Sequence, residues 1–429
     1  MINNEKIAVF WFRRDLRLED NVALYHALTS NFSVLPIFIF DPNILNELDR
    51  NDSRVSFIYQ TLFTINFDLK QYNSGLKIYF DEPLDAWKKI VSEFNVAKVF
   101  YNSDYEPYAK GRDTEINTFL AAYEIEVQSF KDHVIFEKNE ILKSDETPYT
   151  IFTPYKNTWL NRFSSELLKT NKSRLSAFIK QQFHFPELSE IGFELSSKKV
   201  KPFNIDELSN YHNSRDIPSI EGTSNLGPHL RFGTISIRVL ISKILGNDLF
   251  LSELIWREFF MQILWHFPRV VHNNFKRKYD GIQWQNNKTE FKKWCNGETG
   301  YPLVDAGMRQ LNETGYMHNR VRMVTASFLC KHLLIDWRWG EAYFAKHLLD
   351  FDLSSNNGNW QWAAGTGCDA APYFRVFNPS EQQKKFDPKA IYIRKWVKEF
   401  DSLCYPQPMV DHKEARDRAI RTYKEGILK

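Results

Sequence analysis

Cysteine is scarce in this sequence, and its spacing excludes two kinds of architecture. The four cysteines stand more than thirty residues apart in a chain of 429, with no CxxC pair and no Cys/His pair at zinc-ligand spacing. A disulfide framework and a structural zinc site are therefore not expected, and no metal is predicted. Reduced thiols are typical of the cytoplasm, which is the predicted location.

Long apolar runs are missing as well. No stretch approaches the 18 apolar residues of a membrane-spanning helix, so no association with a membrane is predicted. The apolar run near the start, Ile7–Phe12, is short and is followed by two arginines. Such a run is typical of a buried strand and not of a secretion signal.

The net charge is small, and the motifs of several enzyme classes are absent. The 56 Lys and Arg nearly balance the 53 Asp and Glu, which excludes a histone-like or polyanionic protein but leaves room for a local basic groove. The first apolar run continues into Phe-Arg-Arg-Asp-Leu-Arg and not into GxGxxG, so a dehydrogenase loses its main support. No Ser-His-Asp order or zincin motif assembles a hydrolytic site.

Aromatic side chains, in contrast, are abundant. The chain has 35 Phe, 19 Tyr and 12 Trp, which make up 15% of its residues, and nine of the tryptophans follow residue 250. This composition excludes a disordered chain.

Two hydrophobic patterns divide the sequence. Short β-branched and aromatic runs alternate with helical stretches over 1–130, which predicts an α/β domain with a Rossmann-like parallel sheet. Residues 131–200 are predicted to be a long surface connector, and 201–429 a larger all-α domain with apolar residues at i, i+3 and i+4. The predicted strands are 6–12, 33–40, 76–80, 97–101 and 125–130. The predicted helices are 54–69, 84–94, 249–267, 301–313, 320–334 and 339–349.

One polar cluster in the helical part could bind a nucleobase. On a helix, Glu253, Trp256, Arg257 and Phe260 share one side. A carboxylate, an indole and a guanidinium can together hydrogen-bond to, stack on and neutralise such a ligand. An amphipathic core helix with an internal Glu–Arg pair explains the same pattern, and the pattern alone favours that explanation.

Three further clusters carry unusual polar residues. Asn319, Arg322 and Met323 share a helical face beside Arg320, which suits phosphate or carboxylate partners, although an ordinary surface helix explains the arginines equally well. The stretch 350–367 sets small and polar residues beside two tryptophans, which favours a wet or ligand-lined wall. Hydroxyls and amides in 222–227 precede a helix, where they either cradle a phosphate or cap the helix.

These clusters, in this order, resemble the photolyase/cryptochrome family of flavoproteins, and most closely the class I photolyases that repair cyclobutane pyrimidine dimers. The likeness runs from Phe-Trp-Phe-Arg-Arg-Asp-Leu-Arg at 10–17 to Tyr-Pro-Gln-Pro at 405–408. It is most specific in Gly-Tyr-Met-His-Asn-Arg (315–320), Asn-Asn-Gly-Asn-Trp-Gln-Trp (356–362) and Asp-Ala-Ala-Pro-Tyr-Phe-Arg (369–375).

The resemblance implies FAD, bound in a folded shape within the helical domain. Asn356 would face flavin N5, where an amide stabilises reduced states, and an Arg322–Asp350 pair would fix charge beside the ring. The implied cofactor-binding residues are Tyr211, Thr223, Ser224, Asn225, Leu226, Gly227, Arg322, Asp350, Phe351, Asp352 and Asn356.

The resemblance also implies light-driven electron transfer from reduced flavin to a dimer flipped out of damaged DNA. Glu253 would hydrogen-bond to the pyrimidine edges, and Trp256 and Trp362 would form aromatic walls. The implied residues for lesion and DNA binding are Arg215, Glu253, Trp256, Arg257, Phe260, Asn319, Arg320, Met323 and Trp362. An electron-transfer chain of Trp360, Trp337 and Trp284 is implied too; from composition alone these tryptophans would be core residues.

A second, antenna chromophore is possible in the first domain. Folate-binding relatives have an Asn-Glu pair where this chain has Tyr108-Ala109, and a Cys-Lys-like contact where it has Val271-His272. Folate is therefore not expected, and a deazaflavin, a second flavin or no chromophore all stay open.

Three alternative functions compete with repair of cyclobutane dimers by a monomer acting on damaged DNA. A (6-4) photolyase typically has a His pair where Met317-His318-Asn319-Arg320 stands here. Sensory cryptochromes tend to lose the Glu253/Trp256 wall, which is intact. A light-independent electron-transfer flavoprotein would need a docking surface that the sequence does not reveal. The repair enzyme is the favoured hypothesis.

Overall fold

The computed structural model describes residues 5–427, apart from the side chains of Glu207 and Ser209, so the predicted domain ends 1–4 and 428–429 lie outside the described residues. The chain forms two compact units, each built from three segments. The first unit comprises Met1–Glu140, Asn161–Lys201 and Leu226–Leu245, and the second Ile141–Leu160, Pro202–Asn225 and Gly246–Lys429. The domain bounds at 130 and 200 stay a prediction, since the compact units are divided differently.

A parallel five-stranded sheet forms the centre of the first unit, as the sequence predicted. Its strands lie in the order β3-β2-β1-β4-β5, and every pairing is parallel. The strands are β1 (Ile7–Phe12), β2 (Ser33–Phe40), β3 (Lys77–Phe80), β4 (Val96–Asn102) and β5 (Glu126–Phe130).

Eighteen α-helices are found in the described part of the chain. They are α1 (Val22–Leu28), α2 (Pro42–Leu45), α3 (Ser53–Lys70), α4 (Pro83–Glu93), α5 (Pro107–Ala122), α6 (Phe152–Arg162), α7 (Tyr211–Ser214), α8 (Leu226–Arg231), α9 (Ile237–Ile244), α10 (Asp248–His266), α11 (Lys288–Asn296), α12 (Pro302–Thr314), α13 (Asn319–Ser327), α14 (Trp337–His347), α15 (Leu353–Ala364), α16 (Pro379–Phe386), α17 (Ile391–Trp396) and α18 (His412–Glu425). None of these helices is both long and apolar enough to span a bilayer.

The sheet is buried on both faces because its central strand is apolar throughout. Every residue of β1 is buried, with Ile7, Val9 and Trp11 packed in one hydrophobic cluster and the alternate residues in another. Successive side chains of a strand point to opposite faces, so a continuous apolar run supplies two cores at once.

A buried ion cluster explains why α9 packs with the sheet unit although the sequence placed it in the helical domain. Asp132 accepts from Arg17 at 2.7 Å and from Arg238 of α9 at 2.8 Å, and Arg238 also reaches Asp20 at 2.9 Å. Burial opposes the charge on Asp132, but the two guanidiniums outweigh it and hold the pKa of that carboxyl well below its usual range. A charge buried this deeply needs all of its partners.

We expect Asp132→Asn to lower the free energy of unfolding by about 3–5 kcal/mol, because it leaves two buried guanidiniums without their shared anion. Since the folded pKa of Asp132 is depressed, its contribution is present above the ordinary aspartate pKa of about 3.9 and is lost as the pH falls below that value. Urea unfolding at pH 7 measures the first effect, and its comparison with unfolding at pH 3 measures the second.

The matched control is Asp85→Asn, which breaks an exposed pair with Lys88 in the same unit and should leave the unfolding curve unchanged. Equal curves for the two variants at pH 7 would contradict the assigned role of Asp132.

The second unit is helical, as predicted, with one exception inside its core. The sequence predicted a single helix over 320–334, and this was wrong: α13 ends at Ser327 and a π-helical turn, Phe328–His332, follows. The wider turn accompanies a fully buried Lys331, whose Nζ donates to the carbonyls of Ala364 at 2.7 Å and Tyr373 at 3.2 Å. Burial lowers the pKa of Lys331 to about 7.

Candidate functional site

Two helices of the second unit, α10 and α15, carry seven of the predicted site residues and are in direct contact. A Cβ on Gly358 of α15 would lie 2.2 Å from Cδ1 of Phe260 on α10, so only glycine permits this approach. Trp256 and Trp362, which were predicted as the two aromatic walls, stand on these helices and are both half-buried.

Trp256 is held by aromatic neighbours on its own helix and beyond it. Its ring lies 5.4 Å from the ring of Phe260 and 5.6 Å from that of Phe259. The closest ring is that of Phe152, at 3.7 Å and nearly parallel. The sequence did not single out Phe152, because it lies far from the cluster in the chain and in a stretch predicted to be a surface connector.

Glu253 is joined to two other predicted residues. Its carboxylate pairs with Arg215 at 2.8 Å, and the Arg215 guanidinium lies over the ring of Tyr211 at 5.3 Å. Burial and the negative charge of Glu253 raise the pKa of Tyr211 to about 12. A residue predicted to contact flavin and two predicted to contact DNA therefore form one group.

A second arginine pair lies at the start of α13. Arg320 pairs with Asp216 at 2.7 Å and covers the ring of Phe386 at 4.4 Å. Asp216 was missed from the sequence because a carboxylate a hundred residues away gives no local signal. Of the other predicted DNA contacts, Asn319 is exposed, and Met323 and Arg257 are half-buried.

The Arg322–Asp350 pair that the resemblance implied is present, at 2.9 Å. Arg322 is fixed further by donating from Nε to the carbonyl of Met317 at 2.8 Å. Asp352 caps α15 by accepting from the backbone N–H of Ser355, so this predicted cofactor residue also begins the helix. Phe351 between the two aspartates is half-buried.

The amide of Asn356 is oriented by Glu341, a residue the sequence analysis missed. Nδ2 of Asn356 donates to Glu341 Oε1 at 2.8 Å and to the Glu341 carbonyl at 3.1 Å. Both amide hydrogens are thereby used on one side, which leaves Oδ1 as an acceptor for an N–H group. Burial raises the pKa of Glu341, against the opposing effect of the Asn356 hydrogen bond.

His318 supplies a buried donor that has no acceptor among the described residues. Its Nδ1 accepts from the backbone N–H of Arg320, so the neutral ring carries its proton on Nε2, and that atom is buried without a partner. Burial, with Arg322 and Arg320 nearby, lowers the pKa of His318 to about 4. An anionic or carbonyl-bearing ligand would satisfy this donor.

The predicted phosphate loop is tightly folded at its start. A Cβ on Gly222 would lie 2.5 Å from the side chain of Ser214, and Asn225 adopts a positive φ of 53°. Thr223 is exposed, and the carbonyl of Ser224 accepts from Asn204. Leu226 and Gly227 open α8, which belongs to the first unit.

Of the three tryptophans predicted to transfer electrons, two are buried and one is half-buried. Trp360 is buried against Gly340 and Phe344, and Trp337 is buried with its Nε1 donating to Asn274. Trp284 is half-buried against Tyr423. The ring of Trp294, which the sequence analysis did not name, lies 6.1 Å from that of Trp360.

These residues fit FAD. A pyrophosphate and a ribityl chain need hydroxyl, amide and cationic partners, and an isoalloxazine needs donors, acceptors and aromatic walls. Among the described residues Nε2–H of His318 has no acceptor and no hydrogen bond uses Oδ1 of Asn356, so both atoms can serve as such partners. In the described part of the chain no three His, Cys, Asp or Glu are gathered for a metal ion.

In the first unit, one arginine lies at the carboxyl edge of the sheet, where parallel sheets usually bind ligands. Strand order reverses between β1 and β4, and Arg13 links their carboxyl ends by donating to the carbonyl of Asn102 and to Asp113. Tyr108, at the position that departs from folate-binding relatives, donates to Asp41, and burial with that carboxylate raises its pKa to about 12.

Together these features define a flavoprotein whose helical part holds the cofactor and whose other part is a parallel α/β unit. Family models agree: residues 8–173 match DNA photolyase, and 250–404 match the FAD binding domain of DNA photolyase. The chain belongs to the DNA photolyase family and has its FAD-binding domain.

Relatives match along almost the whole chain. The deoxyribodipyrimidine photo-lyase of Escherichia coli is 36% identical, with 96% of this chain and 98% of that protein covered. A class III photolyase from Agrobacterium tumefaciens superimposes with a TM-score of 0.89 at 31% identity, covering 99% and 98% of the two chains. A photolyase from Sulfolobus tokodaii, solved with two FAD molecules, has a TM-score of 0.85 at 34% identity, covering 97% and 99%.

The Asn356–Glu341 contact generates a prediction about flavin. We expect Glu341→Leu to release the Asn356 amide, because it removes the side-chain acceptor that holds Nδ2 to one side. Protein with chemically reduced flavin should then reoxidise in air at least about threefold faster, which absorbance at 450 nm records.

The control is Glu298→Leu, which removes an exposed carboxylate of the same unit that accepts from Nδ2 of Asn296. Equal reoxidation rates for the Glu341 variant and wild type would show that the amide needs no such support.

Proposed function

We propose that this protein is a deoxyribodipyrimidine photolyase, which repairs cyclobutane pyrimidine dimers in DNA under light. The observation that carries the proposal is the contact of α10 with α15. It brings the helix of Glu253 and Trp256 against the helix of Asn356 and Trp362. The residues proposed to hold the lesion and the amide proposed to face the flavin therefore lie on adjoining helices. The names of the relatives support the same activity.

When bound and reduced, FAD supplies the photoexcited electron that opens the cyclobutane ring and that is afterwards recovered. The protein therefore needs no nucleophile and no general acid, and its work is to extract the dimer and hold it. Trp256 and Trp362 offer faces on which unstacked pyrimidines pack, which compensates part of the cost of flipping.

Glu253 recognises the edge of the dimer. Its carboxylate accepts the N–H groups of pyrimidine edges, while Arg215 keeps it oriented and compensates its charge. Arg320 and Arg257 approach the phosphates on either side, so binding weakens as salt rises, and Asn319 lines the lesion pocket. We further propose that the protein acts as a monomer and that it is located in the cytoplasm.

The residues around the cofactor prepare its environment. Arg322 places a positive charge next to Asp350, and Asn356 presents Oδ1 as an acceptor for an N–H. Tyr211, Thr223, Ser224 and Asn225, with Leu226 and Gly227, hold phosphate and ribityl groups, and Asp352 caps the start of α15.

One experiment tests the activity. Purified protein with chemically reduced flavin is illuminated with an oligonucleotide that carries one thymine dimer, and we expect thymines to be restored in light and not in the dark. Glu253→Ala should retain flavin yet lose at least about tenfold in repair per absorbed photon, since it removes a charged hydrogen-bond acceptor from the lesion.

The control is Glu381→Ala, which breaks an exposed pair with Lys384 on α16 and should repair like wild type. Flavin binding without repair by the wild type would instead favour a sensory cryptochrome. Repair of a (6-4) product only would favour the other photolyase.

The tryptophan chain generates a separate prediction. Trp360→Phe should block light-driven reduction of oxidised flavin in the presence of a thiol, because phenylalanine is far harder to oxidise than an indole. Repair by protein reduced chemically beforehand should be unaffected. Absorbance bleaching under blue light follows the first effect.

The control is Trp396→Phe, the same substitution at a half-buried tryptophan of the same unit that is not part of the predicted electron-transfer chain. Normal photoreduction by the Trp360 variant would mean that electrons enter by another residue.

A further inference from the structure

Helix α6 begins against the proposed lesion wall. Phe152, its first residue, is 7% exposed, and its ring lies face to face with the indole of Trp256, with centroids 3.7 Å apart and planes 8° apart. The stretch that contains α6 was expected to be a surface connector, yet Phe152, Tyr155 and Trp159 are all buried.

The contact covers one face of Trp256. Phe259 meets the same indole edge-on, at 80°, and Phe260 lies beside it. Trp256 is half-buried, so part of its flat face remains accessible for a ligand to stack on. The plane of that face is set by the ring of Phe152, because rotating the indole would break the parallel contact.

Helix α6 is itself fixed along α10. Two turns after Phe152, Trp159 donates from Nε1 to Glu258 at 2.6 Å, and both residues are buried. Between them, Tyr155 packs against the ring of Phe259. Helix α6 is therefore anchored along α10 at more than one point, and of these contacts only that of Phe152 is with Trp256.

The backbone of Phe152 also contacts the segment that follows α15, the helix of Trp362. The backbone N–H of Phe152 donates to Oδ2 of Asp369 at 3.1 Å, so a carboxylate distant in sequence caps the start of α6. Asp369 lies shortly after the end of α15, which carries Trp362. The same segment is held by Lys331, which binds the carbonyls of Ala364 and Tyr373.

We propose that Phe152 is a positioning residue for lesion recognition, one that acts through the contact of its ring with Trp256, while Asp369 anchors its backbone to the segment that follows α15. The inference rests on the proposed function. It assigns α6 a part in discriminating damaged from undamaged DNA, whereas the chemistry of dimer splitting stays with the flavin site.

The test is dark binding of two duplexes of one sequence, with and without a single thymine dimer. Phe152→Leu keeps an apolar side chain but loses the flat face, and we expect its affinity for the damaged duplex to fall about three- to tenfold. Its affinity for the undamaged duplex should not change. Repair per photon at saturating duplex should also stay at the wild-type value, because the substitution affects how tightly the lesion binds and not how the bound dimer is split.

Two further variants separate positioning from general stability. Phe152→Tyr restores a flat ring and should recover the wild-type ratio of affinities. Trp159→Phe removes the Glu258 hydrogen bond from the same helix without touching Trp256, so it should lower the melting temperature and leave the ratio intact. If Phe152→Leu does not fold, Phe152→Met, which is longer and flexible, takes its place in the comparison.

The outcomes are distinguishable. Should the wild type bind both duplexes equally, the proposed function falls, and this inference with it. Should the wild type discriminate and the folded Phe152→Leu variant discriminate equally well, only the role of Phe152 is overturned. An equal loss of discrimination in Trp159→Phe would assign the effect to helix stability and would also overturn it.

Discussion

The candidate site depends on how closely two helices can approach. Where α10 and α15 meet, the ring of Phe260 lies against the backbone of Gly358, and even one methyl group at that position would collide with it. Interiors packed this densely do not absorb an extra methylene without shifting their helices. Glu253 and Trp256 on one helix, and Asn356, Trp360 and Trp362 on the other, owe their closeness to this contact. The hydrogen bond from Asn356 to Glu341 and the cap at Asp352 then fix α15 within its surroundings.

Much of the fold could be predicted because its signals are local. The run Ile7–Phe12 is apolar at every position, and only a strand buried on two faces requires this pattern. The π-turn at Phe328–His332 was not predictable, since a helical pattern continues through it and the buried Lys331 that accompanies it resembles any surface lysine in the sequence. The packing of α9 with the sheet depends on Arg238 meeting Asp20 and Asp132, residues more than a hundred positions away.

The candidate site shows the same division. Helical spacing placed Glu253, Trp256 and Phe260 on one side of α10, and the structure has them on a single helix. Resemblance to a family supplied the Arg322–Asp350 pair, which no spacing rule would have found across twenty-eight residues. Neither route found Phe152, Asp216 or Glu341, because each acts through a partner that only the folded chain brings near.

The arrangement of the two compact units has a consequence for how the protein is made. The chain passes from one unit to the other after residues 140, 160, 201, 225 and 245, so neither unit is a continuous stretch. All strands of the sheet have been synthesised once β5 is made. Arg238, which pairs with Asp132, is synthesised several seconds later by a ribosome that adds about 5–20 residues per second. During that interval a buried carboxylate lacks half of its counter-charge. The first unit therefore has all of its parts only after its last segment, Leu226–Leu245, has been synthesised.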